Sequence, residues 1–157
     1  MTDENRGDMG TFRLTIDINR PAADVFAFVA EPRNMPLWYE AVEHVDERTP
    51  KTPTQPASYQ ITRSLPGGRT DNIVDVAEST PTLVVTFQSR EGPTPFHYRY
   101  AIEPNGEGSL LTLDADISSA GLPGPFAHLD AVATRAFKRG MRQNLEGLKH
   151  LVESNVV

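Results

Sequence analysis

Between Ala57 and Ile117 the chain reads as one strand-like segment after another, joined by short turns, with no helical stretch between them. The segments are Tyr59–Ser64, Thr70–Glu78, Leu83–Arg90, Phe96–Glu103 and Leu110–Ile117. Turn signals separate them at Pro66-Gly67-Gly68, Thr80-Pro81, Gly92 to Pro95 and Pro104 to Gly108. A parallel sheet needs a crossover of about a dozen residues or more between neighbouring strands. None is present, so these segments can only form an antiparallel meander.

What flanks the meander completes the outline. Phe12, Leu14, Ile16 and Ile18 alternate with Arg13, Thr15, Asp17 and Asn19, the period of a strand with one buried face. Pro21 then fixes a φ suited to a first helical position, Asp24 places a negative charge at a helix N-terminus, and Val25, Phe28 and Val29 recur on one helical face. Pro32 and Pro36 break that helix and predict a second short piece over 34–41. Val42 to Arg48 reads as the second strand, and Thr49 to Pro56 as an exposed, proline-rich connector. After the Gly- and Pro-rich stretch from Ser118 to Pro125, apolar residues at 129, 132, 133, 136, 137, 141, 145, 148, 151 and 152 predict one amphipathic helix from Phe126 to about Glu153. At ~1.5 Å per residue it would run roughly 40 Å, with Lys138, Arg139, Arg142 and Lys149 on its wet side.

A chain of 157 residues is the size of one cored domain, and we expect a disordered tail over 1–10 and a single domain over 11–154. The formal net charge of −6 repels nucleic-acid backbones and anionic lipid headgroups, so no nucleic-acid partner is expected. The absence of cysteine removes disulfides, thiolate metal sites and cysteine nucleophiles. Residues 1–10 hold no apolar run of the secretory type, and no stretch of eighteen apolar residues occurs, which predicts a cytoplasmic protein with no integral membrane association.

The stretches Ile18–Phe26, Asn34–Trp38, Tyr98-Arg99-Tyr100, Pro104–Gly108 and Asn144–Lys149, in this order, carry a resemblance over nearly all of the chain. The sequence resembles the START-like (SRPBCC) superfamily, in particular its bacterial polyketide cyclase/dehydrase and lipid-transport group. The resemblance implies an α+β helix-grip fold of the Bet v 1/START-like type. In that fold a seven-stranded curved antiparallel sheet, two short helices and one long C-terminal helix enclose a cavity. Relatives of this kind use the fold for ligand carriage, cyclisation, chaperoning and antibiotic sequestration, so fold alone assigns no reaction.

The residues add further constraints. His44, His97, His128 and His150 are too widely spaced to share a metal, no phosphate- or dinucleotide-binding glycine pattern occurs, and no cofactor is expected. Asp114 and Asp116 oppose the phase of Leu111, Leu113, Ala115 and Ile117, which puts them, like His97 and the helical charges Asp130, Arg135 and Arg139, on solvated faces. Alternation turns Tyr59, Phe87, Phe96, Tyr98 and Tyr100 inward, with Trp38 at the bend and Phe137 and Met141 on the long helix. An ordinary core explains this set, and so does a cavity lining that gives the tyrosine hydroxyls polar partners. Arg63 shares the phase of Tyr59 and Ile61, so it needs a carboxylate or an acidic or phenolic ligand. Asn144, on the helix's apolar stripe, is a second polar candidate, as a ligand contact or as a cap on a strand end.

The expected ligand-binding set is therefore Trp38, Tyr59, Arg63, Phe87, Tyr98, Tyr100, Phe137, Met141 and Asn144, with no metal ligand and no assigned catalytic residue. The leading expectation is binding or sequestration of a small hydrophobic molecule of polyketide, aromatic or lipid-like type. A polyketide cyclase, aromatase or dehydratase would use the same cavity, with Arg63 holding an enolate. A ligand-free interaction module is the third reading, in which an exposed face acts. The Gly121–Pro125 stretch reads as a connector or a gate, and a homodimer through the sheet edge or long helix is compatible with the fold.

Overall fold

The computed structural model describes residues 9–65, 67–80, 82–118 and 131–154. Its strands are β1 (Met9–Ile18), β2 (Val42–Thr49), β3 (Ala57–Leu65), β4 (Gly68–Ser79), β5 (Val84–Glu91), β6 (Phe96–Asn105) and β7 (Gly108–Ser118). The helices are α1 (Ala22–Val29), α2 (Met35–Trp38) and α3 (Ala131–Glu153), with a 3-10 turn at Pro32–Asn34. All seven strands pair antiparallel in the order β1-β7-β6-β5-β4-β3-β2. The meander predicted the antiparallel pairing, and this is the curved, seven-stranded helix-grip sheet that the resemblance implied. Strand β1 starts at Met9, two residues inside the segment expected to be a tail.

Short turns hold the meander in register. The β6–β7 turn closes between Asn105 and Gly108, with Gly106 at φ 65°, and β3 meets β4 at the Leu65–Gly68 pair. On β2 the simple alternation fails, because only Val42 and Val45 turn inward. A bulge between Val42 and His44 shifts the phase by one residue.

The inward residues of the sheet and the apolar face of α3 make one core. Met141, Leu145, Leu148 and Val152 follow helical spacing and are each buried. Burying side chains of this size contributes about 1.5–3 kcal/mol apiece. The end of α3 is tied to the β1–α1 corner: Asn19 N donates to Glu153 Oε2 (2.7 Å), Arg20 Nη1 to Val152 O (3.0 Å) and Lys149 Nζ to Asp17 O (2.7 Å). Lys149, expected on the wet side, thus bends back to satisfy a strand carbonyl. Residues 126–130 of the expected helix and the Gly121–Pro125 stretch lie outside the described residues, as do Asp130 and His128.

Between β1 and β2, α1 buries Ala22, Val25, Phe26, Phe28 and Val29. Glu31 accepts a hydrogen bond from Arg33 N (3.0 Å), and Asn34 Nδ2 donates to Phe28 O (3.1 Å), which fixes the bend despite two prolines. The chain then leaves α2 in extended geometry at Tyr39, shorter by some three residues than the helical piece expected over 34–41. That exit places Tyr39, Glu40 and Ala41 at the edge of the cavity described next.

Candidate functional site

A cavity of about 370 Å³ opens between the sheet, α3 and the α2–β2 corner. The sheet contributes Phe12, Arg63, Ser64, Leu65, Tyr98 and Ile117; α3 contributes Ala136, Phe137, Gly140, Met141 and Asn144; the corner contributes Tyr39, Glu40 and Ala41. Its surface is mainly apolar with a few polar groups, the usual make-up of a small-molecule site.

Arg63 is the charged group on its inner wall, only 3% exposed. Nε and Nη2 both donate to Asn72 Oδ1 at 3.0 and 2.8 Å. Nη2 also reaches Pro93 O (3.1 Å), Thr94 O (3.2 Å) and Thr94 Oγ1. Every one of these acceptors is neutral. Nη1 makes no hydrogen bond among the described residues, and none of their carboxylates pairs with the guanidinium. The carboxylate partner considered from sequence is therefore replaced by amide, carbonyl and hydroxyl oxygens. Burial pulls the Arg63 pKa down from its ordinary value, opposed by the neighbouring Tyr98 and Tyr39. Asn72, itself fully buried, is held in turn by Nδ2 bonds to Ser89 Oγ, Glu91 O and Pro93 O.

Aromatic rings continue the wall. Arg63 Cζ sits 4.9 Å from the Phe96 ring centroid, and Phe96 stacks on Tyr98 at 4.6 Å. The Tyr98 and Tyr39 hydroxyls meet at 3.0 Å. Burial raises both phenol pKa values above 10.0, so both are neutral hydrogen-bonding groups at physiological pH.

Of the nine residues expected to touch ligand, Arg63, Tyr98, Phe137, Met141 and Asn144 come together on this cavity, whereas Trp38, Tyr59, Phe87 and Tyr100 do not line it. Phe87 and Tyr100 pack edge to face in the sealed core (5.7 Å), and Trp38 meets Tyr100 the same way at 6.0 Å. The Tyr59 hydroxyl lies beside Arg33, Glu31 and Glu47. Asn144 Oδ1 accepts from Glu40 N (3.2 Å) across the cavity rim, so it ties α3 to the turn between α2 and β2 and caps no strand end.

Sequence reasoning missed Tyr39, because no periodicity survives a four-residue helix followed by a three-residue turn into a strand. The adjacent Trp38-Tyr39 pair was the available signal, since neighbouring aromatics at a bend face different ways. Gly140 was missed too, although a glycine inside an apolar helical stripe costs stability and marks a need for space. Outside the cavity, Asp114 pairs with Arg13 (2.6 Å) on the solvated face. Among the described residues, no group of three or more His, Cys, Asp or Glu side chains could hold a metal ion, and no helix is long and apolar enough to cross a membrane.

A curved antiparallel sheet gripping a long helix around an apolar cavity defines a START-like ligand-binding fold. The chain belongs to the polyketide cyclase/dehydrase and lipid transport family, whose pattern it matches over residues 9–153. No curated protein matches it. Among solved structures it is similar to a Thermus thermophilus protein (TM-score 0.78, 16% identity, covering 94% of this chain and 99% of that one). A START superfamily protein from Mycobacterium smegmatis is also similar (TM-score 0.75, 16% identity, 92% and 98%). So is a Streptomyces aromatase/cyclase (TM-score 0.73, 14% identity, 96% and 97%). At these identities the likeness is one of fold.

Proposed function

We propose that this chain binds a small, largely apolar molecule of polyketide, aromatic or lipid-like type in the cavity, with an anionic or enolic oxygen against Arg63. The observation that carries this reading is the buried guanidinium held only by neutral acceptors, with Nη1 free of hydrogen bonds among the described residues. A buried cation without a counter-charge is costly, and a ligand oxyanion would offset that cost with a charge-assisted hydrogen bond. Calorimetric titration with 2-naphthoate and with neutral 2-ethylnaphthalene tests it. The naphthoate should bind more tightly, and Arg63→Gln should weaken it about tenfold or more while leaving the hydrocarbon unchanged. Failure of the naphthoate to bind, or its binding no more tightly than the hydrocarbon, would sink the reading.

The Tyr39–Tyr98 hydroxyl pair favours a second reading, in which the same site closes a ring in a poly-carbonyl chain. Neutral phenols beside a cation can donate hydrogen bonds to a carbonyl as it becomes an enolate. Ring formation from a poly-β-ketone thioester, followed by absorbance, should then fall by about 10²-fold in Tyr98→Phe with binding retained. Equal product profiles with and without protein would leave binding as the function.

A further inference from the structure

Two buried polar atoms behind the cavity, Trp38 Nε1 and Tyr100 Oη, have no hydrogen-bond partner among the described residues. Unpaired donors this deep are uncommon and costly. Their rings are neighbours: Trp38 packs edge to face on Tyr100, with centroids 6.0 Å apart, and at a tilt on Tyr39 at 5.8 Å, and Tyr100 follows Tyr98 on the same face of β6. The hydroxyl pair of Tyr39 and Tyr98, 3.0 Å apart, lines the open cavity, so Trp38 and Tyr100 form the layer immediately behind it.

We infer that this layer is an inner subsite for a ketone oxygen, entered when the Tyr39–Tyr98 hydroxyl pair parts, in which Trp38 Nε1–H and Tyr100 Oη–H both donate to the ligand. A carbonyl oxygen has two lone pairs and accepts two donors, whereas a hydrocarbon end satisfies neither. A carboxylate would be out of place here, since the layer holds no cation and is fully desolvated. The inference rests on the cavity reading above and sharpens its ligand class. The ligand is a flat, fused-ring or ring-forming molecule with an acidic oxygen at the Arg63 end and a neutral ketone at the other.

The protein's one tryptophan reports on the subsite directly, because the Trp38 indole N–H gives a single nitrogen-15-correlated resonance. The probes are 6-acetyl-2-naphthoate and 6-ethyl-2-naphthoate, which differ only in the ketone, together with the same pair built on anthracene. In at least one pair the ketone should bind about tenfold more tightly than its ethyl analogue and move the indole resonance downfield, while the ethyl compound leaves it in place. Tyr100→Phe should cut the ketone's advantage to about threefold with the indole shift retained and the ethyl compound's affinity unaltered. Equal affinities within both pairs with a stationary indole resonance overturn the subsite and leave the Arg63 reading intact. An indole resonance already downfield in free protein and unmoved by ketone means that a buried water fills the place, which overturns the subsite in the same way. If none of the four probes binds, the cavity reading fails and this inference with it.

Discussion

Arg63 and Asn72 face each other diagonally across β3 and β4, two register positions apart, and Asn72 Oδ1 accepts both Nε and Nη2. The amide aims the guanidinium without neutralising it. Asn72→Asp would supply the missing carboxylate, so the preference for 2-naphthoate over 2-ethylnaphthalene should disappear in paired titrations while the hydrocarbon still binds. Asn72→Leu strips a buried cation of its main acceptor and should cost about 3 kcal/mol in urea unfolding.

All four tyrosines have pKa values raised above 10.0, chiefly by burial, and those of Tyr39 and Tyr100 are raised furthest. The raised folded pKa fixes the sign. In the unfolded chain these phenols ionise near their ordinary value of about 10, whereas in the folded protein they stay protonated. Their stabilising contribution is therefore complete below about pH 10 and is lost as pH rises through the folded-state values. Phenolate absorbance should stay flat past pH 10 and then rise in one step that coincides with loss of near-ultraviolet circular dichroism. Four independent titrations in folded protein would contradict this.

Gly92 holds φ 111°, and a Cβ there would lie 2.5 Å from Asp71 O and 2.7 Å from Asn72 Nδ2. Gly92→Ala should destabilise by about 2 kcal/mol or more and weaken naphthoate binding, since it displaces the amide that positions Arg63. Gly106, also at positive φ but with open space around it, is the control. Gly106→Ala should cost only about 1 kcal/mol and leave binding alone.

Gly140 lines the cavity with nothing within 4 Å of the place a Cβ would take. Gly140→Ala should raise stability by about 0.5–1 kcal/mol in thermal unfolding, because alanine is the better helix former. Gly140→Phe should keep the fold and abolish naphthoate binding by filling the space; unchanged affinity would put the ligand elsewhere.

The sheet was legible because its alternation and its turns agree: β3 to β7 each fall within two residues of where the pattern puts them. Alternation also turned Arg63 and Tyr98 inward. What it does not encode is how far along a strand the cavity extends. Tyr98 lines the opening, while Tyr100, two residues on and on the same face, is sealed against Phe87. That boundary is set by where α3 and the α2–β2 corner close over the sheet. Tyr39 escaped notice for the opposite reason, being fixed by a chain reversal that has no period.

The pairing of β1 with β7 has a consequence for how the molecule assembles. The hairpins from β2 through β7 join sequence neighbours and can zip up in turn, but β1 must wait for a partner some hundred residues downstream, Leu14 against Leu113. During synthesis the first strand of this sheet to be made is thus among the last to find its place, and its edge stays unpaired until β7 arrives. The clasp between the β1–α1 corner and the end of α3 then completes in the same late event, so the cavity comes into being only when the fold does.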